Sequence, residues 1–134
     1  MFANYSNPAS AYQAVSVNSA VNTADPHRLI ELLFDGAITA ISIAKGAMQQ
    51  KDIPAKGKAI SKAIDIVENG LKACLDFEKG SDIASNLDAL YEYILNRLLY
   101  ANLKNDLAAL DETSHLLSEI RSAWQEIRPK FVSE

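Results

Sequence analysis

The chain has 134 residues, 49% of them hydrophobic and 22% charged, with a formal net charge of -4 and a single cysteine. This describes one compact domain, long enough to build a core without disulfides. It argues against a nucleic-acid or anionic-membrane surface, since those partners select clustered Lys and Arg. The one lysine-rich patch, Lys51, Lys56, Lys58 and Lys62, is balanced by the acids that follow it.

The first 22 residues, MFANYSNPASAYQAVSVNSAVN, carry no charged side chain and scatter Tyr5, Tyr12, Val15, Val17 and Val21 among Ser, Asn and Ala. Such a segment has weak helix propensity. The reading is a flexible or short helical N-terminal segment, 1–22, that can lie over a hydrophobic groove as a lid, or else a disordered terminus with one short helical turn. Its opening residues have neither a basic n-region nor an apolar h-region, and no apolar run approaches membrane-spanning length, so a cytosolic location is expected.

From residue 23 to 134 the punctuation predicts four helices. Asp25 reads as an N-cap and Pro26 as the first helical residue, with helical periodicity to about Gln50. Lys51 to Pro54 makes a turn with Asp52 or Ile53 before the next helix, which runs to about Asp76. Gly80 supplies a C-terminal cap and Ser81 or Asp82 an N-cap for the third helix. Lys104, Asn105 and Asp106 form the last connection, and the fourth helix runs from about Leu107 to Ile127, ending before Pro129. No stretch alternates at period two, and the short connections make neighbours antiparallel. The predicted fold is all-α, an up-down-up-down four-helix bundle.

The helix faces carry the functional question. In the first helix, Arg28, Glu31, Asp35, Thr39, Ser42 and Gln49 form a polar stripe. Opposite it, Gly36, Ala37, Ala40, Ala44 and Ala47 let a neighbour approach closely, with Phe34 and Ile38 at the edge of the apolar arc as candidates for an exposed groove. In the fourth, Leu110, Leu117, Ile120, Trp124 and Ile127 turn inward, and Trp124 is expected to anchor the core. The third is apolar over too wide an arc. Ile83, Leu87, Leu90, Ile94 and Leu98 make one stripe, and Tyr91, Leu95, Leu99 and Leu103 a second beside it. Together they cover roughly half the circumference, against the roughly 100° a surface helix needs. The excess calls for a cover: more of this chain, a second copy, or a foreign segment in a groove.

Catalytic chemistry finds no footing. Glu112 to His115 spells E-T-S-H, half of the paired Glu-x-x-His signature of di-iron bundles, and the other half is missing. His27 with Glu31 completes no cage, His115 lies on the outer side of its helix, and no phosphate loop or nucleophile-base pair is present. Cys74, on an apolar helical face, reads as a small buried hydrophobe. The chain is therefore read as a non-enzyme without cofactor or metal, with a self-associating scaffold and a metal-binding bundle as the competing classes.

Five pieces in one register carry a family resemblance: Tyr12 and Gln13; TADPHRLIELLFDGAI from Thr23 to Ile38; Lys51 and Asp52 at a turn; NLDALYEYILNRLLYANLKND from Asn86 to Asp106; and LLSEIRSAW from Leu116 to Trp124. The chain resembles the flagellar export chaperone family FliS over nearly its whole length. It departs where the family has a hydrophobic-Tyr-Asp-Gly turn, here Leu33, Phe34, Asp35 and Gly36, and a Gly-Gly pair, here Gly80 and Ser81. The resemblance implies a cytosolic helical bundle that binds the disordered C-terminal region of flagellin, prevents its premature polymerisation and assists its delivery to the type III export apparatus. It also implies a role in binding for Tyr5, Tyr12 and Gln13. Tyr91, Leu95, Leu99 and Leu103 are expected to form the apolar wall, with export components and co-chaperones as further partners and a monomer or weak homodimer as the resting state.

Overall fold

Capping chemistry sets the helix boundaries. Asp25 is extended (φ -77°, ψ 102°) and its carboxylate accepts from the backbone N–H of His27 and Arg28, with Pro26 at the first helical position, opening α1, Pro26–Gln49. In this computed structural model, residues 25–78 and 81–132 are described, with side chains described for 25–78 and 82–126. The segment carrying Tyr5, Tyr12 and Gln13, and the expected cap at Gly80, lie outside the described residues.

α1 ends in a left-handed residue, Lys51 (φ 60°), across which Asp52 N–H donates to the Ala47 carbonyl at 2.9 Å and Lys51 N–H to Met48 at 3.1 Å. Asp52 then caps α2, Ile53–Ile66, by accepting from Ala55 N–H at 3.2 Å, with Pro54 in the first turn. The same device recurs at the last turn. Asn105 (φ 53°) closes α3, Ser81–Lys104, with Asp106 N–H donating to Ala101 at 3.1 Å, and the Asp106 carboxylate caps α4, Leu107–Val132, through Ala109 N–H.

Three antiparallel contacts align α1 with α4: His27 with Trp124, Asp35 with Arg121, and Lys45 with Asp111. Lys56 reaches Asn102 and Asn105, and Lys72 reaches Asp88 and Glu92, which aligns α2 and its extension antiparallel to α3. The order of neighbours closes an up-down-up-down bundle, and no strand occurs among the described residues. Its core is Leu33, Phe34 and Ile41 of α1, Ile60 and Ile66 of α2, Ile94 and Leu98 of α3, and Leu110 and Leu117 of α4. The most extensive contact is between α1 and α2, and Ala37, Ala40 and Ala44 of α1 and Ala59 and Ala63 of α2 all belong to the core cluster.

Several expectations are corrected. The second helix does not stay α-helical to Asp76: beyond Ile66 it widens into a π turn, Val67–Leu71, and tightens into a 3-10 turn, Lys72–Cys74. Asn69 and Gly70 are weak helix formers at that point, and Cys74 is half-buried at the core's edge. α4 does not stop before Pro129. It runs on to Val132, with Pro129 in its last turn. Phe34 is sealed in the core rather than edging a groove. Glu31, placed on the polar stripe, is buried because Arg28 Nη1 lies 3.0 Å from its carboxylate and His27 Nδ1 lies 3.9 Å from it. Lys56, read as part of a lysine-rich patch balanced by the acids that follow it, is buried, its ammonium donating to the Asn102 carbonyl at 2.9 Å and to Asn105 Oδ1 at 2.5 Å. The carbonyl-rich end of α3 is where a cation is favoured. Trp124 is half-buried and packs on the core's rim through His27: the rings stack at 4.4 Å, His27 Nε2–H donates to the Trp124 carbonyl at 2.8 Å, and Trp124 Nε1–H donates back to the His27 carbonyl at 3.1 Å.

Gly46 and Gly57 stand inside α1 and α2, and a methyl group built on either meets no atom within 4 Å. Gly46→Ala and Gly57→Ala should each stabilise the fold by about 1 kcal/mol, measured as a shift in urea midpoint at unchanged slope.

Candidate partner-binding surface

The second apolar stripe of α3 leaves the core as it rises. Four residues at 100° each overshoot a full turn by about 40°, so an i, i+4 series drifts around the helix rather than holding one face. Exposure follows that drift: Tyr91 is 3% exposed, Leu95 5%, Leu99 57% and Leu103 77%. The structure therefore divides the four residues. Tyr91 and Leu95 join the core cluster, where burial pushes the Tyr91 hydroxyl's pKa well up. Leu99 and Leu103 stand in solvent.

Their edge is the one facing α2. Asp88, Glu92, Leu99 and Leu103 recur at helical spacing on one side of α3, and the first two of them hold Lys72 from the extension of α2. The hydrogen bond to Glu92, with Asp88 adding to it, raises the Lys72 pKa and keeps it a cation. The Ile53–Ile66 segment itself touches α3 only sparsely, and the extension Val67–Cys74 supplies the rest of the contact. Polar bridges at Lys56 and Lys72 hold this seam. Apolar side chains are left uncovered along it, with Ile53 exposed at its α2 end.

On the other side of α2 lies a groove of about 430 Å³. Leu32, Gly36, Ala40 and Ile43 of α1 and Ala55 and Ala59 of α2 line its apolar part, and Asp35, Thr39, Lys58 and Lys62 its polar lips. Sequence reasoning did not find this groove. The signal was the run of small residues in α1, read only as permission for a neighbour to approach; the same small side chains leave the space above the contact unfilled. Ile43, 57% exposed, completes the wall.

Across the seam between α3 and α4 the surface is polar and already paired. Tyr93 donates its hydroxyl to Glu112 at 2.5 Å, Arg97 Nε donates to the same carboxylate at 2.9 Å, and the Arg97 guanidinium lies 4.8 Å from the Tyr100 ring centroid. The Tyr93 hydrogen bond, with Arg97 adding to it, holds the Glu112 carboxyl below its ordinary value. Glu112 is thus occupied, and His115 pairs with Glu119 at 3.1 Å on the outer face. No group of three or more His, Cys, Asp or Glu gathers as metal ligands would among the described residues. Among those residues, no helix is long and apolar enough to cross a membrane.

Fold and surface together define a small antiparallel helical bundle with uncovered apolar side chains on both flanks of its second helix. A family model described as "Flagellar protein FliS" matches residues 8–131. The flagellar secretion chaperone FliS of Salmonella typhimurium is 57% identical over 120 residues, covering 90% of this chain and 89% of that protein. FliS of Vibrio cholerae is 45% identical over 121 residues, covering 90% and 88%, and the flagellar secretion chaperone FliSB of Pseudomonas aeruginosa is 49% identical over 116 residues, covering 87% and 91%. The chain belongs to the FliS family of flagellar secretion chaperones.

Burial separates three of these α3 positions experimentally. Leu95→Ala should cost about 2–5 kcal/mol in denaturant, while Leu99→Ser and Leu103→Ser should stay within about 0.5 kcal/mol; equal losses at all three would place Leu99 and Leu103 in the core. A second test concerns acid. Because Glu112's carboxyl is held low in the fold, its contribution is present above the ordinary carboxylate range and is lost as pH falls through the depressed value. In Tyr93→Phe, the Glu112 carboxyl followed by NMR should titrate closer to its ordinary value.

Proposed function

We propose that this protein is a cytosolic chaperone that binds the disordered C-terminal region of flagellin, keeps it from polymerising prematurely and assists its delivery to the flagellar type III export apparatus. The observation that carries the reading is the uncovered apolar surface flanking α2, with Leu99 and Leu103 on one side and the groove from Leu32 to Ile43 on the other. Membership in a family of flagellar secretion chaperones supports the same client.

A client that is disordered when free can wrap around α2 and lay apolar anchors at i, i+3 and i+4 on both flanks. Each Å² of apolar area removed from water contributes about 25 cal/mol, offset by the client's ordering cost. Tyr91 and Leu95 act from beneath, fixing the slope of α3 that presents Leu99 and Leu103. Tyr5, Tyr12 and Gln13 of the N-terminal segment take part by folding over the client or by giving way to it. The resting protein is a monomer or weak homodimer, and the reaction is binding without chemistry or cofactor. Export components and co-chaperones dock on the loaded complex.

Isothermal titration with a flagellin C-terminal peptide should give one stoichiometric, saturable heat. Leu99→Glu with Leu103→Glu should weaken it at least tenfold while leaving helicity and melting unchanged. A protein that self-associates by light scattering and yields no heat with the peptide is instead a scaffold covering this surface with its own copy.

A further inference from the structure

The groove between α1 and α2 has an electrical asymmetry that the apolar reading leaves unused. Lys58 and Lys62 stand one helical turn apart on its α2 lip, both exposed, and no ion pair engages either of them among the described residues. The acid on the opposite lip, Asp35, is already held by Arg121 of α4, whose Nε lies 2.6 Å from its carboxylate. An occupant therefore meets an apolar floor, a neutralised α1 lip and two unmatched cations on the α2 lip.

We propose that this groove selects a client helix carrying two acidic side chains one turn apart along the edge that faces α2, with Lys58 and Lys62 as its specificity-determining residues. The inference rests on the client-binding reading above. Groove dimensions suit a single short helix: the α1 wall from Leu32 to Ile43 extends about 16 Å and the α2 wall from Ala55 to Lys62 about 10 Å at 1.5 Å per residue. Gly36, Ala40, Ala55 and Ala59 let a helical backbone settle close to the floor. The two ammonium groups repeat at the i, i+4 interval that acids on a client helix would match. This chain's own first 24 residues contain no charged side chain, so they leave both lysines unmatched wherever they lie. An acidic client has an advantage over the neutral tail for this groove, and that advantage diminishes as salt screens the lip.

The test uses the full chain and a flagellin C-terminal segment, titrated at low and high salt with wild type, K58Q/K62Q and K58E/K62E. Both lysines are exposed, so the variants should melt as wild type does. Exposed pairs contribute modestly, so K58Q/K62Q should bind about threefold to twentyfold more weakly at low salt, with a shallower salt dependence. The charge reversal should lose more, and exchanging the client's paired acids for lysines should restore binding to K58E/K62E but not to wild type. Wild type that binds the segment while K58Q/K62Q binds it equally well, with the same salt slope, overturns the acidic selectivity and leaves the chaperone reading standing. Wild type that does not bind the segment overturns both. Lysine variants that change self-association and not client binding would make a second copy the occupant and overturn the proposal.

Discussion

The close approach of α1 and α2 is the contact on which the rest of this bundle depends. Ala37, Ala40, Ala44, Ala59 and Ala63 all lie in the core cluster, and side chains of that size let two helices pack closely. One choice of residue thus has two effects. Inside, it lets Leu33, Ile41, Ile60 and Ile66 interdigitate to complete burial. Outside, Gly36, Ala40, Ala55 and Ala59 are small enough to leave a groove between the two helices. The groove thus shares Ala40 and Ala59 with the core cluster that closes the bundle.

α3 is attached to this pair by a different chemistry. Lys56 and Lys72 bridge it to α2 and the extension of α2, and Glu112 ties it to α4 through Tyr93 and Arg97. Polar stitches fix register and direction better than they supply cohesion, because each charged group loses water to make them. Lys56 bears the largest such cost, being buried, and recovers it by facing two oxygens at the carbonyl end of a helix. A seam held in this way can leave leucines in solvent.

Periodicity and punctuation carry most of the architecture. Asp25, Asp52 and Asp106 mark the helix starts with cap chemistry that needs no tertiary information, and the capping bonds form at each. What local signals cannot carry is the fate of a residue whose partner lies far along the chain. Glu31 reads as surface until Arg28 and the stacked His27 and Trp124 pair close over it, and Lys56 reads as surface until the end of α3 arrives 46 residues later. The division of the α3 stripe has another origin, since the drift of an i, i+4 series is pure helix geometry and is legible in the spacing of Tyr91, Leu95, Leu99 and Leu103. The groove was legible only in part: its small residues are visible, but the void they leave depends on the distance between two helices. The π turn after Ile66 has a weak local signature in Asn69 and Gly70, which alone does not distinguish a widened turn from an ending.

Lys56 also joins two places that the chain keeps far apart. It rises from the first turn of α2 and holds the Asn102 carbonyl and the side chain of the left-handed residue Asn105 at the end of α3, so fraying at either terminus loosens the same ammonium. Helix ends ordinarily open independently and at small cost. Here one side chain bridges two of them, so opening either end costs the same pair of hydrogen bonds, and Leu99 and Leu103 stand just before the end of α3 that it holds.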